Sequence, residues 1–235
     1  MANVREFTRK LFTKEELTAL VYFEVAFGLF FSFISLITFL YITNAVILKQ
    51  TISFDTTIEN LLYSARSNWL TQVMMFLSYL GSDGMVFGAV IVALFLTLRH
   101  HRKETFIFSL LLLMGLAATT TLKLLYKIPR PEISALIVEN SYSFPSGHAL
   151  NSFLFYGTIA YFFYHLTQKK KASLIIAAFS AILVLLIGIS RIYLGVHHPS
   201  DVLAGYLVGF WLFATTILID KTVVFFRLVR ETRKS

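Results

Sequence analysis

The stretch Ser190-Arg191-Ile192-Tyr193-Leu194-Gly195-Val196-His197-His198-Pro199-Ser200-Asp201 sets an arginine, two histidines and an aspartate between two strongly apolar segments. Charge at the edge of an apolar segment is costly, so such a cluster marks a functional site. Pro199 suits the first turn of a helix, which predicts His197 just before a helix start and Asp201 just inside it. A carboxylate one turn from a histidine can hold one ring nitrogen as a donor and leave the other free as base or nucleophile. The competing reading is a histidine that merely caps a helix.

Two further segments carry the same kind of residue. Lys123-Leu124-Leu125-Tyr126-Lys127-Ile128-Pro129-Arg130-Pro131 contributes the cations Lys123 and Arg130, and Phe144-Pro145-Ser146-Gly147-His148 contributes a third imidazole at a helix start. If Lys123, Arg130 and Arg191 converge on one pocket, their repulsion and desolvation cost several kcal/mol unless a multiply charged anion fills it. Phosphate is the natural occupant, since Arg matches its oxygens bidentately and Lys serves as a point charge. The helix that opens at Pro145-Ser146-Gly147-His148 would turn free N–H groups and a positive dipole end toward the anion. Gly147 lets the backbone approach closely and Ser146 adds a hydroxyl, which together make an oxyanion cradle for a phosphoryl transition state. Taken singly, Pro-Ser-Gly-His is an ordinary helix start and Lys123 a snorkelling lysine. Their joint occurrence on one expected face is what specifies the site.

These residues need a scaffold, and composition says which kind. Of 235 residues, 57% are hydrophobic and 14% charged, against about a quarter charged in ordinary soluble domains. The expectation is all-α: a polytopic membrane protein forming one domain over 1–235, with six transmembrane helices in one bundle and short amphipathic interfacial helices. The spans fall at 17–47, about 81–98, 104–126, 145–166, 172–189 and 199–219. The first is too long for a signal-peptide core and reads as a retained span. Residues 1–16, with Arg5, Arg9, Lys10 and Lys14, suit a short helix on an anionic inner surface. The segment 49–80 suits two short helices at the outer interface, with Trp69 at the headgroup level; Ser82 or Asp83 can cap the span that follows. Glu24 receives no role, and His100 and His101 read as a solvated turn, because adjacent histidines do not share a helix face.

Most of the 21 Lys and Arg residues lie in the amino-terminal tail, the turns at 99–103 and 169–171, and the basic tail at 221–235. All four fall on one side of a six-span arrangement, which puts both termini in the cytoplasm and the motifs of 123–201 at the extracytoplasmic face. The net charge of +8 does not point to nucleic acid, since the cations cluster between apolar runs instead of alternating with aromatics. Cysteine is absent, so thiolate metal sites and disulfides are excluded.

Lys-x6-Arg-Pro, then Pro-Ser-Gly-His, then Ser-Arg-x5-His-x3-Asp resembles the type 2 phosphatidic acid phosphatase family, which shares its core with vanadium haloperoxidases, at every motif position and over nearly the whole chain. The resemblance implies that His197 is a nucleophile forming a phosphohistidine, that Asp201 orients its ring, and that His148 is the general acid and later the base. It also implies that Lys123, Arg130, Arg191, Ser146 and Gly147 bind substrate oxygens, with no metal and no cofactor. The implied substrate is an outer-leaflet lipid phosphate or pyrophosphate in the cell membrane: undecaprenyl pyrophosphate or phosphatidylglycerol phosphate before phosphatidic acid. An anionic-lipid flippase would need the cations but not the histidines. A lipid phosphotransferase would share the first half-reaction. Gly205 and Gly209 continue the row from His197 and Asp201 and read as close helix packing.

Overall fold

A computed structural model describes residues 14–131 and 135–232, with side chains from 22 to 222 within those ranges. The helix expected on the inner surface at 1–16 and the basic side chains of the tail beyond residue 222 lie outside the described residues, apart from helical backbone. Among the described residues the chain is all-helical: α1 Lys14–Ile47, α2 Ile52–Ser64, α3 Asn68–Leu80, α4 Asp83–Leu98, α5 Arg102–Tyr126, α6 Gly147–Thr167, α7 Lys170–Tyr193 and α8 Pro199–Thr232. The chain divides into two compact units, one formed by Ser35–Phe213 and the other by Met1–Ile34 with Ala214–Ser235.

Among the described residues, five segments are long and apolar enough to cross a membrane: Tyr22–Ile47, Asn68–Leu98, Arg102–Tyr126, Lys170–Tyr193 and Pro199–Thr222. The expected fourth span, α6, has 21 residues, roughly the 30 Å of a bilayer core. It is less apolar than the others because Asn151, Tyr156, Tyr161, Tyr164 and His165 dilute it. Its burial explains why that is tolerated, since Ala149, Leu150, Ser152, Leu154, Phe155, Thr158 and Phe162 are all buried along it.

The second span begins earlier than expected. The segment 49–80 does form two short helices, but α3 belongs to one apolar run with α4, Asn68–Leu98, broken only at Gly81-Ser82. With 16 residues, α4 alone reaches about 24 Å, short of the hydrocarbon thickness, so α3 must supply the rest. Ser82 occupies the N-cap position of α4 without capping it, because its hydroxyl turns back to the Ser78 and Tyr79 carbonyls at 3.3 Å each.

Within Ser35–Phe213 the core gathers around α6, where Leu150 and Leu154 meet Phe108 and Leu111 of α5, and Ala204 and Val208 of α8. Phe144 is fully buried and stacks on Phe39 with ring centroids 6.1 Å apart, fixing the end of the loop that leads into α6. In the other unit, Ser32 and Thr215 share a 3.0 Å hydrogen bond, and Glu24 pairs with Lys221. Both ends of that ion pair are more than a third exposed, so it contributes at most about 1 kcal/mol.

The close approach expected of Gly205 and Gly209 is present, against the backbone of α6. A Cβ on Gly205 would stand 2.5 Å from the Ser146 carbonyl oxygen, and one on Gly209 3.0 Å from that of Leu150. Backbone cannot swing aside as a side chain does, so Gly205→Ala is expected to destabilise by about 1–3 kcal/mol, and Gly209→Ala by less. Unfolding temperatures of the detergent-solubilised variants check this; wild-type stability in Gly205→Ala would show that α8 backs away freely.

Candidate active site

Pro199 opens α8, and the turn before it carries the reactive side chains. Asp201 closes that turn in two ways: its backbone N–H donates to the His198 carbonyl at 3.0 Å, and its Oδ2 accepts the His198 backbone N–H at 2.9 Å. The same Oδ2 lies 3.3 Å from His197 Nδ1 and accepts the hydroxyl of Ser143. Ser143 Oγ is itself 3.2 Å from Nδ1. All three side chains are buried, Asp201 and Ser143 completely.

The other ring nitrogen, His197 Nε2, lies 3.3 Å from Arg130 Nη1. A guanidinium can only donate, so Nε2 must be the bare nitrogen and Nδ1 the protonated one, facing Asp201. Arg130 is aimed by three carbonyl and hydroxyl acceptors: Val196 O, Ser141 O at 2.7 Å and Ser141 Oγ at 3.0 Å. Lys123 Nζ donates to the same Ser141 hydroxyl at 2.9 Å, which ties the end of α5 to Arg130.

Arg191, near the end of α7, is buried at 1% exposure and donates to Ser78 Oγ of α3 and to Glu139. Glu139 also reaches Arg130 at 3.6 Å, so one carboxylate bridges two of the three expected cations. Arg191 Nε is buried without a hydrogen-bond partner among the described residues. His148, in the first turn of α6, lines a cavity of about 330 Å³ with Arg191, Glu139, Ser78, Tyr79 and Asp83.

The structure thus gathers Lys123, Arg130, Arg191, His148, His197 and Asp201 from the three stretches 123–131, 144–148 and 190–201. Ser146 and Gly147 stand at the start of α6, where Ser146 joins two helix ends. Its backbone N–H donates to the Asp201 carbonyl at 3.0 Å, and its buried hydroxyl accepts the Ala149 N–H at 3.5 Å. Sequence reasoning passed over Ser78, Glu139, Ser141 and Ser143. The last three lie in a loop, and isolated loop residues of these types carry no spacing signature. The only signal in the sequence was the number of polar groups packed between two prolines and a buried helix start.

Burial, followed by the charges of Arg130, Arg191, Lys123 and His198, pushes the His197 imidazole well below its ordinary value. The ring is therefore neutral at neutral pH, with an unshared pair on Nε2. Its neighbour behaves oppositely. Burial works against a proton on His198, but the 2.6 Å bond to Glu59, with the charges of Asp201, Glu59 and Asp55, outweighs it and raises the imidazole.

The two histidines should therefore mark stability on opposite sides of pH 6.5. Below it the unfolded chain takes up a proton that folded His197 refuses, so stability falls as pH drops, by up to about 1.4 kcal/mol per pH unit. Above it the folded chain keeps a proton on His198 that the unfolded chain has lost, and that contribution disappears as pH rises through the raised value. Unfolding temperature against pH should have a shallower acid slope in His197→Asn and a shallower alkaline slope in His198→Asn than in the wild type; a slope unchanged in its own variant would contradict the assignment.

The chain is also similar to known proteins. The family description of the PAP2 superfamily matches residues 104–224. The chain is 33% identical over 203 residues to phosphatidylglycerophosphatase B of Bacillus subtilis (strain 168), spanning 83% of this chain and 97% of that protein. The crystal structure of a transmembrane PAP2 type phosphatidylglycerolphosphate phosphatase from Bacillus subtilis matches with a TM-score of 0.77 at 29% identity, over 82% of this chain and 96% of the other. An undecaprenyl-diphosphatase of Sulfolobus acidocaldarius is 38% identical over 81 residues, which are 34% of this chain and 35% of that protein.

Proposed function

The chain belongs to the PAP2 superfamily and is a multi-pass membrane phosphatase of lipid phosphates, and on that premise we propose that it works through a phosphohistidine on His197. The observation that carries this reading is the buried His197 with Nδ1 against Asp201 and Nε2 beside Arg130. Nε2 attacks phosphorus, the bond from phosphorus to the lipid oxygen breaks, and His148 gives that oxygen a proton. Water then attacks the phosphohistidine with His148 taking a proton from it, which releases phosphate and restores the ring. Asp201 faces the Nδ1 proton throughout and stabilises the charge that develops on the ring. Lys123, Arg130 and Arg191 neutralise the phosphoryl oxygens, a part that Mg²⁺ plays in many phosphoryl-transfer enzymes, so the reaction needs no metal.

Of the substrate candidates we favour phosphatidylglycerol phosphate, because the similarity to the Bacillus phosphatase runs over 83% of the chain and that to the undecaprenyl-diphosphatase over 34%. The excess of Lys and Arg in the opposite turns and tails supports a site at the extracytoplasmic face and cytoplasmic termini. A flippase would require the cations alone, whereas here Asp201 and Ser143 face one nitrogen of His197 and Arg130 faces the other. Phosphate release by purified protein in excess EDTA, from phosphatidylglycerol phosphate, undecaprenyl pyrophosphate and phosphatidic acid, is expected to persist, to be fastest with the first, and to vanish in His197→Ala. Release abolished by EDTA, or retained in the variant, would overturn the mechanism.

Glu139 sharpens the picture of the free enzyme. Its carboxylate sits between Arg130 and Arg191, where a phosphate would draw on the same donors, so substrate and product compete with an internal anion. Glu139→Gln keeps the hydrogen-bonding shape without the charge. Inhibition by inorganic phosphate is expected to tighten about tenfold in that variant, equivalent to about 1.4 kcal/mol; unchanged or weaker inhibition would mean the carboxylate does not occupy the anion's place.

A further inference from the structure

Helix α2 carries two buried carboxylates that the mechanism does not use. Asp55 and Glu59 lie one turn apart on α2 and are 5% and 8% exposed, although α2 is short and mostly solvent- or lipid-facing elsewhere. Carboxylates are kept at such burial only when their oxygens are hydrogen-bonded. Both meet the turn that carries His197. Asp55 Oδ1 accepts the Ser200 backbone N–H and Oδ2 the Ser200 hydroxyl, each at 2.9 Å, and Glu59 Oε1 is 2.6 Å from His198 Nδ1.

We propose that Asp55 and Glu59 are positioning residues for the nucleophile, holding the His197-to-Asp201 turn through Ser200 and His198. Ser200 is the second residue of α8, so its N–H is one of the helix's unpaired donors. Asp55 caps it from a helix 145 residues earlier in the chain. The turn's own capping bond, from the His198 N–H to Asp201 Oδ2, leaves Asp201 attached to a segment that is anchored elsewhere by α2. With Ser200 pinned by Asp55 and His198 by Glu59, the residues on both sides of Pro199 are fixed, and with them the depth of Asp201 and the plane of the His197 ring. None of the hydrogen bonds described for Lys123, Arg130 or Arg191 goes to α2. Loosening this clamp should therefore impair the attack without impairing phosphate binding, and a displacement of about 1 Å can cost about 100-fold in rate.

The proposal rests on His197 being the nucleophile, so His197→Ala is measured alongside. With phosphatidylglycerol phosphate in detergent micelles, Asp55→Ala is expected to lower kcat about 100-fold while KM stays within about threefold. Asp55→Asn retains an acceptor for the Ser200 N–H and an amide donor for its hydroxyl, and should recover kcat to within about fivefold of wild type. A carboxylate that merely held the fold would lower the yield or unfolding temperature and leave kcat per folded molecule unchanged. Wild-type kcat in Asp55→Ala, or an Asn variant as slow as the Ala variant, would overturn the clamp. If Asp55→Ala does not fold, Ser200→Ala removes one of the two bonds and leaves the carboxylate its backbone partner; a several-fold lower kcat is expected, and an unchanged one overturns the proposal. Activity retained in His197→Ala would instead overturn the nucleophile assignment, whereas an inactive His197→Ala beside a fully active Asp55→Ala removes the clamp alone.

Discussion

A fully buried carboxylate has to be held by hydrogen bonds, and Asp201 meets that demand through a single oxygen. Its Oδ2 receives the Ser143 hydroxyl and the His198 backbone N–H and faces His197 Nδ1, three groups from two distant parts of the chain. Without them, burying the charge would cost several kcal/mol, and the carboxyl would take up a proton instead. The tautomer of His197, the position of the loop before α6 and the closure of the turn before α8 are thus set by the same contact. The Ser146 N–H bonded to the Asp201 carbonyl extends this to the start of α6, so two helix ends and the reactive ring move together or not at all.

That dependence explains why the surrounding packing is so tight. The starts of α6 and α8 meet where Gly205 lets the Ser146 carbonyl pass at a distance no side chain would allow. A looser crossing would admit water, and water would supply Asp201 with alternative donors and blunt its effect on His197. The cations answer to the same principle with the opposite sign. Arg130 and Arg191 lie close together, and Glu139 between them balances charge that would otherwise stand unopposed. Buried charge is affordable only in neutral groups, and one such group can be exchanged for another of like charge.

Charge in an apolar context was legible in the sequence, and it located most of the site. Arg191, His197 and Asp201 stand out because their neighbours are Ile, Leu and Val; Lys123 and Arg130 stand out because prolines end a long apolar helix beside them. The all-helical, membrane-embedded class followed from the same contrast. The residues that hold those groups were not legible. Ser143, Ser141 and Glu139 sit in a loop where serine and glutamate are unremarkable, and Asp55 and Glu59 look like the polar face of an amphipathic helix. Their burial is a tertiary fact, since the polar side of α2 turns inward to the turn before α8. Ser82 shows the converse, a sound local capping signal set aside because the Ser78 and Tyr79 carbonyls at the end of α3 were nearer.

The division has a physical cause. A reacting group must be polar whatever surrounds it, so in a membrane chain its cost shows locally as a break in hydropathy. A group that positions it need only supply one donor or acceptor at the right distance, and any of several residue types on any nearby segment can do that. The side chain is then chosen by geometry between segments, here 139 and 145 residues apart for the contacts from α2, and no local pattern records it.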